Sequence, residues 1–147
     1  MKIAIVAYSH HHENTNKLID AIAQKHEIVR IDALTQPDAD LSAYDLIGFA
    51  SGIYYSKFHK SVLKMAEERL PRGKKVFFLY TYGMKKEGYT RSIREAVEKK
   101  GAKIAGEYGC LGLNTFGPFK LIGGMAKGHP DETELREAVA FFESCLR

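Results

Sequence analysis

The feature that most constrains the fold is a regular alternation of short apolar runs with longer segments of helical periodicity. Each run has the length and composition of a buried β-strand and ends in small, polar or aromatic residues. Such alternation predicts a parallel sheet with helices on both faces, because each crossover between parallel strands passes over one face of the sheet. The predicted strands are Lys2–Tyr8, Glu27–Asp32, Asp45–Ser51, Lys75–Tyr82 and Lys103–Cys110.

The segments between the strands carry signals for the starts, buried faces and ends of helices. We expect Thr90 to be an N-cap, Gly101 a left-handed C′ residue, and Asp131 with Glu134 a capping box. Helices are predicted from about Thr15, over about Lys57–Leu70, over about Thr90–Lys100 and after Asp131. In the first helix, the predicted inward positions are Leu18, Ala21, Ile22 and Lys25, and Ile19 and Ala23 widen this apolar stripe. In the second, they are Phe58, Val62, Met65, Ala66 and Arg69.

Composition and charge are those of an ordinary globular protein, and we expect one domain spanning residues 1–147. The net charge of +4 arises from 22 basic and 18 acidic residues in mixed-sign stretches, which disfavours nucleic-acid binding. No apolar run reaches the roughly 20 residues of a membrane span, and the chain starts directly with a strand. We therefore expect a cytoplasmic protein without a signal peptide. Cys110 and Cys145 are expected to be free thiols in or near the core.

Three loops are predicted to meet at one edge of this sheet. With five strands in the order 2-1-3-4-5, the order reverses between strands one and three, and ligands of such sheets bind beyond the carboxyl ends of the strands there. The loop 8–15 lies between a strand and a helix start, where unpaired N–H groups favour an anion such as phosphate. The loops 51–58 and 81–88 are rich in Tyr, Gly and Ser, which suits a flat aromatic ligand.

Four motifs, in this order on these strands, resemble the short-chain type of the flavodoxin family over nearly the whole chain. The first loop resembles the FMN-phosphate loop of that family. Ser51–Lys60 resembles the second flavin loop of the branch that carries a Gly-Lys-Phe-His run, and Thr81–Met84 stands where the third flavin loop belongs. Thr115–Gly124, followed by Gly128-His129-Pro130, resembles the tail of that branch. The fold implied is a flavodoxin-like α/β three-layer sandwich.

The resemblance implies one non-covalently bound FMN, electron transfer as the function and no catalytic residue. It implies redox partner proteins, such as a reductase or a ferredoxin-like donor and acceptor, and a monomer or weak dimer. Which of Tyr54, Tyr55 and Tyr82 stacks on the flavin stays open. The implied phosphate contacts are Ser9, His11, Asn14 and Thr15, with the amides of His10, His12 and Asn16 nearby. The implied ring contacts are Ser51, Gly52, Ile53 and Tyr54 along the isoalloxazine, and Thr81, Tyr82 and Gly83 at its pyrimidine edge.

Two departures from the family pattern give rise to alternatives. Glu13 stands where the family loop usually has Gly, and its carboxylate would repel the phosphate if it pointed inward. Family members that serve as low-potential carriers are typically acidic, whereas this chain is basic, so we expect a milder reductant. One alternative is an FMN-dependent oxidoreductase acting on a quinone or porphyrinogen, since the run Lys57–Lys60 resembles that of flavodoxin-like protoporphyrinogen oxidases. The other is a flavin-free binding module on the same fold.

Several polar residues have a structural interpretation beside the functional one. Adjacent residues such as His10-His11-His12 do not converge on one ion, so no metal is expected. Lys57 and His59 suit a helix surface as well as a substrate role. Cys110 suits a small core position better than a flavin contact. The absence of G-x-G-x-x-G, Walker A and nucleophile-elbow motifs weakens dinucleotide, nucleoside-triphosphate and hydrolase interpretations.

Overall fold

The sheet and its strand order confirm the predicted fold class. The computed structural model describes residues 1–8, 14–112 and 128–147. The strands are β1 (Ile3–Tyr8), β2 (Val29–Asp32), β3 (Leu46–Tyr54), β4 (Lys57–Phe58), β5 (Lys75–Tyr82) and β6 (Lys103–Leu111). Five of them form a parallel sheet in the order β2-β1-β3-β5-β6, which matches the predicted order when the short β4 is left out.

Helices cover both faces of the sheet, which gives the predicted three layers. The helices are α1 (Asn14–Ala23), α2 (Lys60–Glu68), α3 (Arg91–Glu98) and α4 (Glu132–Cys145). On one face, α2 and α3 pack against the sheet through Val62, Met65, Ile93 and Val97. On the other, α1 and α4 pack against it through Ile19, Ile22, Val139 and Phe142. The central strands are buried on both faces, as their apolar runs predict.

The predicted helix start at Lys57 is wrong, because the chain first forms a β-hairpin. Ile53 pairs with Phe58 and Tyr54 with Lys57 in antiparallel register, across a turn made of Tyr55 and Ser56. Phe58 is buried, as predicted, but from β4 rather than from a helix. Its ring packs against Phe78 at a centroid distance of 6.2 Å. The helix α2 begins two residues later, at Lys60.

The predicted helix ends are confirmed in part. Asp131 and Glu134 form the reciprocal capping box of α4. Gly101 adopts the predicted positive φ, at 64°, but it lies two residues after the C-cap Lys99, one position beyond the predicted C′. Thr90 stands at the N-cap position of α3, but its hydroxyl donates to Glu107 Oε1 at 2.8 Å instead of capping the helix.

The buried stripe of α1 is narrower than the periodicity predicts. Leu18, Ile19 and Ile22 are fully buried, whereas Ala23 is exposed and Lys25 lies beyond the helix end. On α2, Val62, Met65 and Ala66 are buried as predicted. Arg69 is an exposed C-cap residue that pairs with Asp38.

Gly48 lets β3 and β5 pair closely at the centre of the sheet. It pairs in register with Phe77, whose ring folds over the glycine. A Cβ atom at position 48 would lie 2.4 Å from Phe77 Cζ, which is closer than atoms can approach. Phe77 is itself fully buried against Phe142 of α4. The glycine therefore leaves room for the Phe77 ring, against which Phe142 of α4 packs.

Candidate functional site

The carboxyl ends of the central strands form one continuous edge. In register, Tyr8 of β1 lies beside Ser51 of β3, and Gly52 of β3 lies beside Thr81 of β5. Neighbouring strands lie about 4.8 Å apart. The segments after β3 and β5 therefore leave the sheet side by side, and β1 ends next to them. The switch point predicted from the strand order is built by these residues, between β1 and β3.

The start of α1 is tied to the end of β5 by a buried hydrogen bond. Thr15 Oγ1 lies 3.0 Å from Thr81 Oγ1, and both side chains are buried. Gly112 packs against the same pair of elements. A Cβ atom there would lie 2.9 Å from Asn14 Nδ2 and 3.0 Å from Thr81 Cβ. The two threonine hydroxyls thus bind each other and hold the N-terminus of α1 at the switch point.

Part of the predicted phosphate loop lies outside the described residues. Ser9, His10, His11 and His12 belong to that part, together with Glu13. Asn14, Thr15 and Asn16 are the first three residues of α1, and the N-terminus of a helix favours an anion. The Asn16 side chain turns towards β2, where its Oδ1 accepts a hydrogen bond of 3.3 Å from Arg30 Nη2. Arg30 also pairs with Asp20. A cleft of about 280 Å³ lies beside them and is lined by Tyr8 as well.

In the second loop, the side chain of Ser51 connects β3 to α2. Ser51 is fully buried, and its hydroxyl donates to the Gly52 carbonyl at 2.5 Å. The same oxygen accepts the backbone N–H of His59 at 3.0 Å. Gly52, Ile53 and Tyr54 are partly exposed, whereas the Tyr55 side chain is 87% exposed at the hairpin tip. Ser51 therefore shapes the loop, and the more exposed residues after it supply the surface.

Three aromatic rings cluster at the switch point. The rings of Tyr8 and His59 stack with centroids 3.6 Å apart and an angle of 5° between their planes. Tyr54 meets both rings edge-on, at 5.6 Å from Tyr8 and 5.1 Å from His59. Burial, and then the proximity of Tyr8, raises the pKa of Tyr54 to about 12, so this phenol stays protonated near neutral pH. We call these three residues the aromatic cluster.

His59 belongs to this cluster and is held in one protonation state. Its Nδ1 accepts the backbone N–H of Ser61 at 3.1 Å, which caps α2. Burial, and then the charge of Lys60, lowers the pKa of His59. The ring is therefore neutral at pH 7 and carries its proton on Nε2. The sequence suits His59 equally to a helix surface and to a substrate role. In the structure its ring lies at the switch point.

Tyr8 is the site residue that sequence reasoning missed. Tyr8 is the last residue of the first apolar run, at the start of the loop assigned to phosphate. The sequence feature that could have identified Tyr8 is an aromatic residue at the carboxyl end of a strand beside the switch point.

Tyr82 in the third loop lies in a different group of rings. It stacks on Tyr89 at 5.9 Å and also contacts Tyr80 at 6.0 Å. Burial raises the pKa of Tyr82. Gly83 follows Tyr82 and is partly exposed. Of the three tyrosines considered for stacking, Tyr54 thus lies in the cluster between β1 and β3, whereas Tyr55 is at the hairpin tip and Tyr82 packs towards α3.

Both cysteines are buried free thiols, in agreement with the sequence. Cys110 packs between Leu18 and Ala138, so it fills a small core position between α1 and α4. Burial, followed by the nearby Glu134 and Asp131 carboxylates, raises the pKa of Cys110 to about 12. This thiol is therefore protonated and unreactive at neutral pH.

One group of potential metal ligands is present among the described residues. His129, Asp131 and Glu134 bring their ligand atoms within 4.8 Å of one another. Glu134 Oε1 already contacts His129 Nδ1 at 2.5 Å and accepts the backbone N–H of Asp131 at 2.8 Å. These contacts form the cap of α4, which accounts for the grouping without an ion. The His10-His11-His12 run, at which the sequence predicts no metal, lies outside the described residues.

The sheet order, the switch point and its aromatic cluster define a doubly wound α/β protein of the kind that binds a flat, phosphate-bearing ligand. A family model described as the flavodoxin domain matches residues 5–114. The chain therefore belongs to the flavodoxin family. An uncharacterised protein of Methanocaldococcus jannaschii is 40% identical over an alignment 151 positions long, which covers 100% of this chain and 99% of that protein.

Solved structures agree with this fold. A flavodoxin from the domain Archaea matches with a TM-score of 0.68 and 19% identity, covering 100% of both chains. The general stress protein 14 of Treponema denticola, solved in complex with FMN, matches with a TM-score of 0.65 and 13% identity, covering 98% of each chain. Membership of the flavodoxin family supports FMN as the cofactor, as the sequence implies. The family also implies redox partners in general terms.

Among the described residues, no helix is long and apolar enough to cross a membrane.

Proposed function

We propose that this chain is an electron-transfer flavodoxin that carries electrons on FMN bound at the carboxyl edge of its sheet. The observation that carries the proposal is the aromatic cluster of Tyr8, Tyr54 and His59, which lies at the switch point where α1 also begins. When bound, FMN supplies the redox chemistry, and the protein contributes position and electrostatics. The single-domain organisation and the cytoplasmic location expected from the sequence are part of this proposal.

The described residues suit FMN chemically. The first turn of α1 offers backbone N–H groups to an anion, and Thr15 and Thr81 fix that turn beside the second and third loops. The aromatic cluster offers rings for packing against a flat heterocycle. Tyr54 and His59 are uncharged at pH 7, so they present an apolar surface with hydrogen-bond donors. Such a site binds and orients the ring and excludes water from it.

The individual contacts are proposed as follows. Asn14, Thr15 and Asn16 offer N–H groups to the phosphate, together with the loop of Ser9, His10, His11 and His12. Gly52, Ile53 and Tyr54 line the ring, with Ser51 holding their loop in place through its buried hydroxyl. The backbone of Thr81, Tyr82 and Gly83 meets the pyrimidine edge. We propose Tyr54 as the stacking tyrosine, because it is the one that lies in the aromatic cluster.

The visible spectrum of the purified protein, before and after addition of FMN, tests cofactor binding. Flavin bands that remain after gel filtration are the expected result, and their absence in both samples would contradict the proposal and favour a flavin-free module. Stopped-flow oxidation of the reduced holoprotein by redox proteins tests the carrier role. Rapid single-turnover transfer to a protein acceptor supports it. Efficient steady-state turnover of a quinone or porphyrinogen would instead favour the oxidoreductase alternative.

A further inference from the structure

We infer that the surface around the candidate flavin edge docks an acidic redox protein. This inference rests on the proposed electron-transfer function and specifies its partner. The surface consists of the segments 55–60 and 83–91, which follow β3 and β5. Its cationic residues, which we call the basic rim, are Lys57, Lys60, Lys85, Lys86 and Arg91.

The two segments carry an excess of positive charge. They contain five of the 22 basic residues and one of the 18 acidic residues, Glu87, so their formal charge is +4. The net charge of the chain is also +4, which leaves the other 132 residues formally neutral. The two segments therefore present a local positive excess at the edge where the flavin is proposed to bind, and such an excess attracts an acidic partner.

The charges of the basic rim are available to a partner. All five side chains are exposed. None of them forms an ion pair with another residue of the described ranges, whereas Arg30, Arg69 and Arg94 elsewhere each pair with a carboxylate. A partner carboxylate would thus meet these cations without first breaking an ion pair among residues 1–8, 14–112 and 128–147.

Two apolar side chains stand within the basic rim. Tyr55 is 87% exposed at the hairpin tip and Met84 is 51% exposed after β5, and both rank among the exposed large apolar residues of the described chain. Tyr55 and Ser56 hold φ angles of 52° and 68°, a conformation that is strained for a residue with a side chain. This turn projects an aromatic ring into solvent at an energetic cost. Aromatic and Met side chains surrounded by charge are typical of the centre and rim of protein interfaces.

The two segments form one face because β3 and β5 are neighbours. Gly52 pairs with Thr81, so both segments leave the sheet at the same level and on the same edge. A protein bound there would cover the ring edge of the proposed flavin, which shortens the distance for electron transfer. A small surface with two apolar tips suits an acidic protein better than a nucleic acid, whose phosphates need an extended basic stripe.

Charge reversal with a matched control tests the inference. The variant K57E/K85E/K86E changes the basic rim, and K25E/K99E/K103E makes the same change in net charge at exposed lysines elsewhere. Each FMN-loaded protein is mixed with a small acidic ferredoxin, and the second-order rate constant of electron transfer is measured at low and high salt. We expect the wild-type rate to fall with salt, the rim variant to lose about tenfold or more at low salt, and the control to stay within about twofold.

Two separate measurements distinguish failure of this inference from failure of the proposed function. FMN affinity and electron exchange with a neutral small mediator should be the same in all three proteins, and their absence in wild type would overturn the proposed function itself. If both are normal, equal losses in the rim and control variants would overturn the docking surface. So would a rate that rises with salt, or binding of duplex DNA that outcompetes the ferredoxin at the same salt. Met84→Ser should slow transfer at high salt as well, because its contribution is apolar.

Discussion

Thr15 and Thr81 lie 66 positions apart in the chain, yet their hydroxyl oxygens meet at 3.0 Å in the interior. The contact joins the first turn of α1 to the last residues of β5. It also uses two hydroxyl groups that the sequence suggested for ligand contacts. A side chain that stabilises the walls of a site affects ligand affinity indirectly, through the geometry it maintains.

We expect Thr15→Val or Thr81→Val alone to reduce the free energy of unfolding by about 1–3 kcal/mol, because each leaves one buried hydroxyl unpaired. The double variant should lose less than the sum of the two, since it removes both polar groups. Urea unfolding of the four apoproteins measures this coupling. FMN affinity should fall in the single variants. Strictly additive losses would show that the two hydroxyls do not depend on each other.

Glu107 should make stability depend on pH in the acid range. Partial burial opposes its charge, but hydrogen bonds from Arg94, Thr90 and Tyr80, with the charge of Arg94, lower its pKa overall. A carboxylate with a lowered native pKa adds stability that is complete above its unfolded pKa of about 4.3. That stability is lost as the pH falls through the native pKa.

Glu107→Gln tests this dependence and keeps the shape of the side chain. It should cost about 1–3 kcal/mol at pH 7 and flatten the fall in stability below about pH 4. Urea unfolding at several pH values provides the measurement. Glu95→Gln on the exposed face of α3 is the matched control and should leave the pH profile unchanged. A profile of Glu107→Gln parallel to that of wild type would contradict the prediction.

Protonation of His59 should destabilise the site below neutral pH. Its native pKa is lowered, so the neutral ring adds stability above the unfolded pKa of about 6.5, and this is lost as the pH falls through the native pKa. Protonation of Nδ1 also breaks the cap from Ser61. An NMR titration of the His59 ring should therefore give a pKa below about 6.5. His59→Asn should keep the cap without the titration, while His59→Ala should lose about 1 kcal/mol.

Ser56→Gly should stabilise the protein. Ser56 holds a φ of 68°, which glycine adopts without a steric cost, so we expect a gain of about 1 kcal/mol. Ser42→Gly is the matched control, because this exposed serine is not among the residues with positive φ. That control should be neutral or slightly destabilising. Chemical denaturation of both variants checks the prediction, and an equal effect at the two serines would contradict it.

Glu13→Gly should tighten FMN binding, because it removes a negative charge from the predicted phosphate loop. Glu13→Gln separates this charge effect from the added backbone freedom of glycine, and it should recover most of the gain. Fluorescence titration of the apoproteins with FMN gives both dissociation constants. An unchanged or weaker affinity in both variants would show that the carboxylate already points away from the phosphate.

The alternation of apolar runs predicted a parallel sheet with helices on both faces, because each crossover between parallel strands passes over one face. The strand order did not follow from the alternation itself; it was taken from a common doubly wound arrangement, and the structure confirms it. The β4 hairpin was missed for a specific reason. Its turn is Tyr55-Ser56, which lacks the Gly or Asn usual at positive φ. Phe58, Val62 and Met65 also follow a helical spacing, although the first of them belongs to a strand.

The loops of the site were predictable, but the directions of their side chains were not. Small polar residues after β3 and β5 pointed to a ligand, yet the Ser51 and Thr81 hydroxyls bond within the protein. The stacking of Tyr8 on His59 joins distant parts of the chain, and local periodicity holds no information about such a pair. Residue type and loop position therefore located the site, while its internal contacts required the packed fold.

The two buried thiols can serve as intrinsic probes of local unfolding. Cys110 packs against Leu18 of α1 near the site, whereas Cys145 ends α4 close to Lys75, where β5 begins. They are the only cysteines in the chain, and burial raises the pKa of each. Each becomes reactive towards a thiol reagent only when its own region unfolds locally. Their separate labelling rates would report how far cofactor binding restrains the site relative to the rest of the fold.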